Sequence, residues 1–194
     1  MDERELKDDL HGYLEGARAA LLWKLEGLGE YDVRRPLTPT GTNLLGLVKH
    51  NAGTHLGYFG DVFGRPHDVP LPWLAGDAEP DADMWAAADE SREDILELHR
   101  RAREVADATI GELPLDAVGR VPWWGDGAVT LHHILVHVTA DTQRHAGHAD
   151  IVRELIDGSA GLLPGHGNLP AGDAAWWAEH RARVEAAARL ATGG

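Results

Sequence analysis

Apolar residues recur at helical spacing along most of the chain, and strand-like alternation is almost absent. Leu10, Leu14, Ala17, Leu21 and Leu25 form one stripe. They predict a first helix from about Glu5 to Leu28, with Gly27 and Gly29 marking its end. The segment Arg35 to Asn43 holds two prolines and several side chains able to cap a helix, so a turn should lead into a second helix near Thr42. That helix takes in Leu44, Leu45, Leu47, Val48, His50, His55 and Phe59, and ends in the Gly60 to Pro66 region. Pro66, Pro70, Pro72 and Pro80 predict a long irregular connection. A third helix is expected over about Ala82 to Ile110, with Met84, Ile95, Leu96, Leu98 and Val105 inward. Its acidic opening (Asp81, Asp83, Asp89, Glu90, Glu93, Asp94) would complement the helix dipole. A Pro/Trp/Gly loop from Val121 to Gly127 then leads to Thr130, the N-cap of a fourth helix that runs to about Ile156 and stops at Asp157-Gly158. Residues 159–172 are Gly/Pro-rich and cross the surface, and a shorter helix from about Asp173 to Leu190 follows.

Four long helices with connections too long for a minimal up-and-down arrangement predict an all-α protein, a four-helix bundle with crossover loops and an additional C-terminal helix. Residues 1–160 would form the bundle. Residues 161–194 would pack on it or on the partner of a homodimer, and the sequence leaves those two open.

Composition narrows the function. Among 194 residues there are 32 acidic side chains against 18 Lys plus Arg, a formal net charge of −14. A nucleic-acid binder needs a basic face, and an anionic membrane surface would repel this chain. No apolar run has the length of a transmembrane helix and the N-terminus is too charged for a signal peptide, so a cytoplasmic location is expected. With no cysteine there is no disulfide, no thiolate nucleophile and no Cys-type zinc site. Any metal must be held by nitrogen and oxygen, and the chain has 12 histidines to offer.

The fourth helix carries His133, His137, Asp141 and His145 four residues apart, a slowly drifting stripe flanked by core-type residues. A carboxylate and an imidazole at i, i+4 can point at one cation, and Asp141 with His145 is the best such pair. The second helix supplies His50, set in the apolar stretch Leu44 to Val48, where a polar group needs a partner. His50, Asp141 and His145 make a two-nitrogen, one-oxygen set suited to a catalytic site for Zn²⁺ or another divalent ion. The same residues also fit a hydrogen-bonded core histidine and an ordinary helix-surface pair. His11, His67, His99, His166 and His180 read as surface residues. Trp123 and Trp124 either wall a pocket mouth or seal the bundle end, and Arg144 and Arg153 either bind a substrate carboxylate or form helix-surface salt bridges.

The blocks Leu37 to His50, Gly57-Tyr58-Phe59-Gly60 and Arg144 to Leu155 resemble the DinB/YfiT-like superfamily. The similarity spans roughly residues 5–160 and is strongest to an actinobacterial branch related to the N-terminal domain of mycothiol-dependent maleylpyruvate isomerase. The resemblance implies a four-helix bundle with a divalent metal near one end. One histidine of the second helix would hold it, with two residues four apart on the last bundle helix. Carried over, these are His50, Asp141 and His145. Asp141 stands where several relatives have Glu and others His, and His55 stands where this branch often has Glu.

The resemblance implies a metal-dependent enzyme acting on a small molecule, with a low-molecular-weight thiol as cosubstrate, in S-transfer or isomerisation. The metal would be zinc, with nickel, iron or manganese as alternatives, and His55 and His137 are the candidate catalytic proton carriers. The competing reading is a non-catalytic, stress-related bundle that binds a metal or small molecule.

Overall fold

The computed structural model describes residues 2–125, 127–167 and 169–191. Four long helices form an all-α bundle: α1 (Glu3–Trp23), α3 (Leu44–His55), α4 (Arg92–Glu112) and α5 (Leu131–Asp157). A short α2 (Glu30–Arg34) and a C-terminal α6 (Ala174–Ala191) are added to them. Within the bundle α1 packs on α5, α3 on α4, and α3 on α5.

The helix starts follow from local capping. Asp2 and Glu5 form a reciprocal capping box on α1, Asn43 accepts from the Gly46 amide, and Thr130 accepts from the His133 amide. α5 stops at Gly158, which takes the left-handed conformation a helix C-terminus favours. α1 ends at Trp23, earlier than its apolar stripe suggests, and the following turn leads to α2, which the sequence pattern did not predict. α3 does not simply stop. It widens into a π turn over Leu56–Gly60 and tightens into a 3₁₀ turn over Asp61–Phe63.

The start of one long helix is corrected. The third long helix, α4, begins at Arg92 rather than near Ala82, because Ser91 caps it by accepting from the Asp94 amide at 3.0 Å. Residues 82–90 form a loop docked against α3 instead. One small antiparallel pair, β1 (Val118–Arg120) and β2 (Ala128–Thr130), accompanies the helices just before α5, with Gly119 opposite Val129.

The apolar core is divided. A small cluster holds Ala52, Leu56, Val69 and Ala102. One of the two large clusters gathers Leu14, Phe59, Ala106, Ile110, Leu131, Leu135 and Val138. The other gathers Leu21, Leu25, Leu44, Leu47, Ile95, Ala146 and Val152. Between them in sequence, on all four long helices, lie the buried polar residues Arg18, Asn51, His55, His99 and Thr142. No described helix is long and apolar enough to cross a membrane. α6 has no buried residue.

Candidate functional site

His50 lies on the second half of α3, and Asp141 and His145 on successive turns of α5. The two helices are tied at this level by the Asn51 amide, which donates to Thr142 Oγ1 at 2.9 Å. Asn51 and Thr142 directly follow His50 and Asp141, so this bond sets how closely the three candidate ligands approach. His50 Nε2 is 3.9 Å from Asp141 Oδ2, and His145 Nε2 is 3.5 Å from Asp141 Oδ1. The His50 and His145 rings have centroids 4.7 Å apart. One donor atom from each of the three residues falls within 4.8 Å of the others.

Whether these residues suit a divalent cation can be judged from their unmet demands. Asp141 Oδ2 and His145 Nδ1 are buried and have no hydrogen-bond partner among the described residues. Nitrogen and oxygen donors in a zinc site sit about 2.0–2.2 Å from the ion and so about 3.4 Å from one another; His145 Nε2 stands at 3.5 Å from Asp141 Oδ1, near that spacing, and His50 Nε2 at 3.9 Å from the other oxygen, somewhat beyond it. Burial pushes the Asp141 carboxyl upward, but the hydrogen bond from His145 and the charges of His145, His50 and His137 outweigh it and hold it below its ordinary value. A carboxylate that stays ionised beside two imidazoles is the donor set such an ion requires. A second cluster of the same residue types, His11, Glu15 and Asp107, contrasts with it. There Arg18 occupies the centre, with Nη1 2.5 Å from Glu15 and 2.7 Å from Asp107, so a cation is already built in.

A cavity of about 520 Å³ opens beside His50. Its floor is one face of α3 and the π turn: His50, Gly53, Thr54, Gly57 and Tyr58 recur at helical spacing and all line it. Asp61, Leu74, Asp83 and Trp123 complete the wall. The Trp123 indole N–H donates to the Tyr58 hydroxyl at 3.2 Å, which fixes both rings at the cavity edge. Of the two tryptophans before α5, Trp123 therefore walls the cavity, while Trp124 packs on His137 with ring centroids 4.6 Å apart.

The remaining histidines divide by environment. His137 is half-buried, with its ring 5.0 Å from that of Tyr58. Burial lowers its pKa, Asp141 opposes that shift, and His133 adds to it, leaving a net fall. His55 is fully buried between His99 and Phe59, is not among the cavity-lining residues, and has neither ring nitrogen hydrogen-bonded among the described residues. Burial, then the charges of Arg18, His99 and His50, keep it neutral well below its ordinary pKa. His132, His133, His148 and His166 are exposed. Two surface assignments fail. His99 is buried, its Nε2 3.1 Å from Asn51 Oδ1, and the His67 side chain is only 8% exposed. Arg153 is buried as well and spends its donors on backbone and Asp157, whereas Arg144 is exposed.

Sequence reasoning missed Thr54, Tyr58, Asp61 and Asp83 as site residues. Tyr58 stood inside one of the recognisable blocks. Asp83 was counted among the acids opening the third helix, and nothing local distinguishes it from them.

A profile of the mycothiol-S-transferase family matches residues 9–158. The chain belongs to this family. The matched range contains all four long helices except the first turns of α1, together with His50, Asp141 and His145. Among solved structures, the crystal structure of a conserved protein of locus from Enterococcus faecalis superposes with a TM-score of 0.57 at 17% sequence identity. The match covers 82% of this chain and 99% of that one, and it shows that the bundle fold is shared. No curated protein matches the chain. Membership of the mycothiol-S-transferase family agrees with the DinB-like resemblance of the sequence blocks.

Proposed function

We propose that this protein is a metal-dependent S-transferase that joins the sulfur of a low-molecular-weight thiol, mycothiol by the family's name, to an electrophilic small molecule. The observation that carries this reading is the convergence of His50, Asp141 and His145 beside a cavity of about 520 Å³ that His50 itself lines. The chain contains no cysteine, so the reacting sulfur arrives with a cosubstrate.

His50, Asp141 and His145 would hold the ion, with zinc the first choice for two imidazoles and one carboxylate. Such an ion, when bound, favours the thiolate over the thiol at neutral pH. The residues of the chain do the rest. Trp123, Tyr58 and Leu74 offer apolar surface on which a substrate can lie, and Gly53 and Gly57 let Leu74 and Trp123 pack close on that helical face. As the sulfur–carbon bond forms at a halide-bearing carbon, the carbon–halogen bond breaks, halide departs with the bonding pair, and the thiol proton must leave. His137, half-buried with its pKa lowered by burial and its ring against that of the cavity-lining Tyr58, would accept it. His55 has no exposed surface, so between the two candidates we assign the proton transfer to His137.

The test is direct. Purified protein should carry close to one zinc per chain by elemental analysis, and His145→Ala should lose it while remaining folded. With mycothiol and an aryl or alkyl halide, the wild type should consume thiol at a rate that falls at least 100-fold in His145→Ala. Protein that takes up neither Zn²⁺ nor Ni²⁺ would overturn the metal assignment. Protein that binds metal but turns over no thiol, across several electrophile classes, would overturn the transferase reading and leave a binding protein.

A further inference from the structure

The geometry points to Asp83 as the positioning residue of the metal centre, delivered to His50 by a loop that Lys49 clamps in place. This inference rests on the metal reading of the same site. Asp83 Oδ2 lies 2.6 Å from His50 Nδ1. An ionised carboxylate has no hydrogen to give, so Nδ1 must carry the proton, and in the neutral imidazole that leaves the lone pair on Nε2. Nε2 is the atom turned toward Asp141, at 3.9 Å. Asp83 thus selects the tautomer in which His50 can act as a ligand and fixes the plane of its ring. A partner of this kind also makes the imidazole a stronger donor.

Asp83 comes from none of the bundle helices. It belongs to the loop before α4, and that loop is held by residues adjacent to His50. The Lys49 side chain is buried, and its ammonium donates to the carbonyls of Ala82 at 2.8 Å and Trp85 at 3.0 Å and to the Glu90 carboxylate at 2.8 Å. Its charge also lies over the Trp73 ring, 4.4 Å from the centroid. Glu90 is fixed in turn by the Ala87 amide at 2.7 Å. Asn43 donates to the Met84 carbonyl at 3.0 Å, and Gly46 lets that carbonyl come so close that a Cβ at position 46 would sit 1.8 Å from it. Asp81, two residues before Asp83, adopts φ +60°, a conformation that aspartate tolerates better than most side chains and that turns the chain toward α3. Three residues of α3 and its cap, Lys49, Asn43 and Gly46, therefore converge on residues 82–85, where the side chain in hydrogen-bond contact with a candidate ligand is Asp83.

The experiment reads tautomer and affinity separately. In metal-free wild-type protein at pH 8, long-range ¹H–¹⁵N spectra should show His50 protonated at Nδ1. Asp83→Ala should convert it to a mixture containing the Nε2–H form. Zn²⁺ affinity, measured by competition with a chromogenic chelator, should fall 10–100-fold in Asp83→Ala. Lys49→Met should lose affinity in the same direction, with faster amide exchange across 82–90. Asp83→Asn, whose amide oxygen still accepts from Nδ1–H, should keep the tautomer and most of the affinity. Wild-type His50 found as Nε2–H, or Asp83→Ala with unchanged tautomer and affinity, would overturn the assignment, and unfolding of Asp83→Ala would leave the wild-type and Asp83→Asn spectra to decide it. A wild type that binds no zinc would defeat the metal reading, while the metal-free spectrum would still judge the role of Asp83.

Discussion

A guanidinium can satisfy several carbonyls and a carboxylate at once, and Arg153 uses that capacity to close the C-terminal end of α1. Its Nη1 points at the carbonyls of Lys24 at 3.0 Å and Glu26 at 2.8 Å, with Trp23 more distant at 3.4 Å. Nε and Nη2 meet the Asp157 carboxylate, Nη2 at 2.8 Å, and Asp157 is held at about 2, first by that contact and against the upward push of burial. The last carbonyls of a helix have no intrahelical donor, so removing the guanidinium strands buried acceptors. Arg153→Met should therefore cost about 2–4 kcal/mol of stability, read as a shift in the urea midpoint with no change in slope. Arg153→Lys should recover only part, because a single ammonium cannot face both the carbonyls and Asp157. Neither variant should alter zinc content, since Arg153 lies on α5 two turns beyond His145. The sequence shows that Arg153 follows the histidine motif, but it does not show the end of α1 folding over it. From the sequence alone a surface salt bridge and a substrate contact are therefore both open to Arg153.

At the scale of elements, the bundle places a polar band between its two large apolar clusters, and the band responds to acid. His99 on α4 is 2% exposed, and burial, then the charges of Arg18 and Arg103, lower its pKa to about 4. In the unfolded chain it would titrate near 6.5, so between about pH 6.5 and 4 the unfolded state binds more protons than the native state. Stability should therefore be fullest above pH 6.5 and fall progressively as the pH drops to about 4, with His55 adding to the loss in the same direction. For His99 alone the full loss is on the order of 3 kcal/mol. Urea midpoints from pH 7.5 to 4.5 should show this slope in the wild type and a shallower one in His99→Gln, whose amide can still donate to Asn51. A wild type with flat midpoints across that range would contradict the neutral, buried state of His99. The long helices were legible because their apolar stripes and caps are local properties. The polar band was not: His99 and Asn51 are single residues whose partners sit on other helices. The start of α4 was misplaced for the same reason, since Asp83 and Glu90 look like first-turn acids until His50 and Lys49 are seen to claim them.

The whole molecule poses a question about its C-terminal segment, which we propose to be an appendage to the bundle of residues 1–160. The loop after α5 is engaged, because the buried Lys24 ammonium donates to the Gly161 carbonyl and pairs with Asp150. α6 differs. None of its residues is buried, Val184 and Leu190 are 57% and 82% exposed, and Trp176, Trp177 and His180 pack chiefly on one another, Trp176 and His180 stacked at 5.2 Å. A helix of 18 residues with no buried face gains little from the bundle and is marginal by itself in water. A chain ended after Gly172, which keeps the Lys24 contact, should therefore unfold within about 0.5 kcal/mol of the full-length monomer. It should also bind zinc with unchanged stoichiometry, because every candidate ligand lies before residue 146. The same truncation separates the two packings the sequence left open. If α6 closes a homodimer, sedimentation will find the full-length chain as a dimer and the shortened one as a monomer, with concentration-dependent stability only in the former. If the shortened monomer instead loses 2 kcal/mol or more, α6 must be packing on its own bundle in solution, and the appendage reading falls.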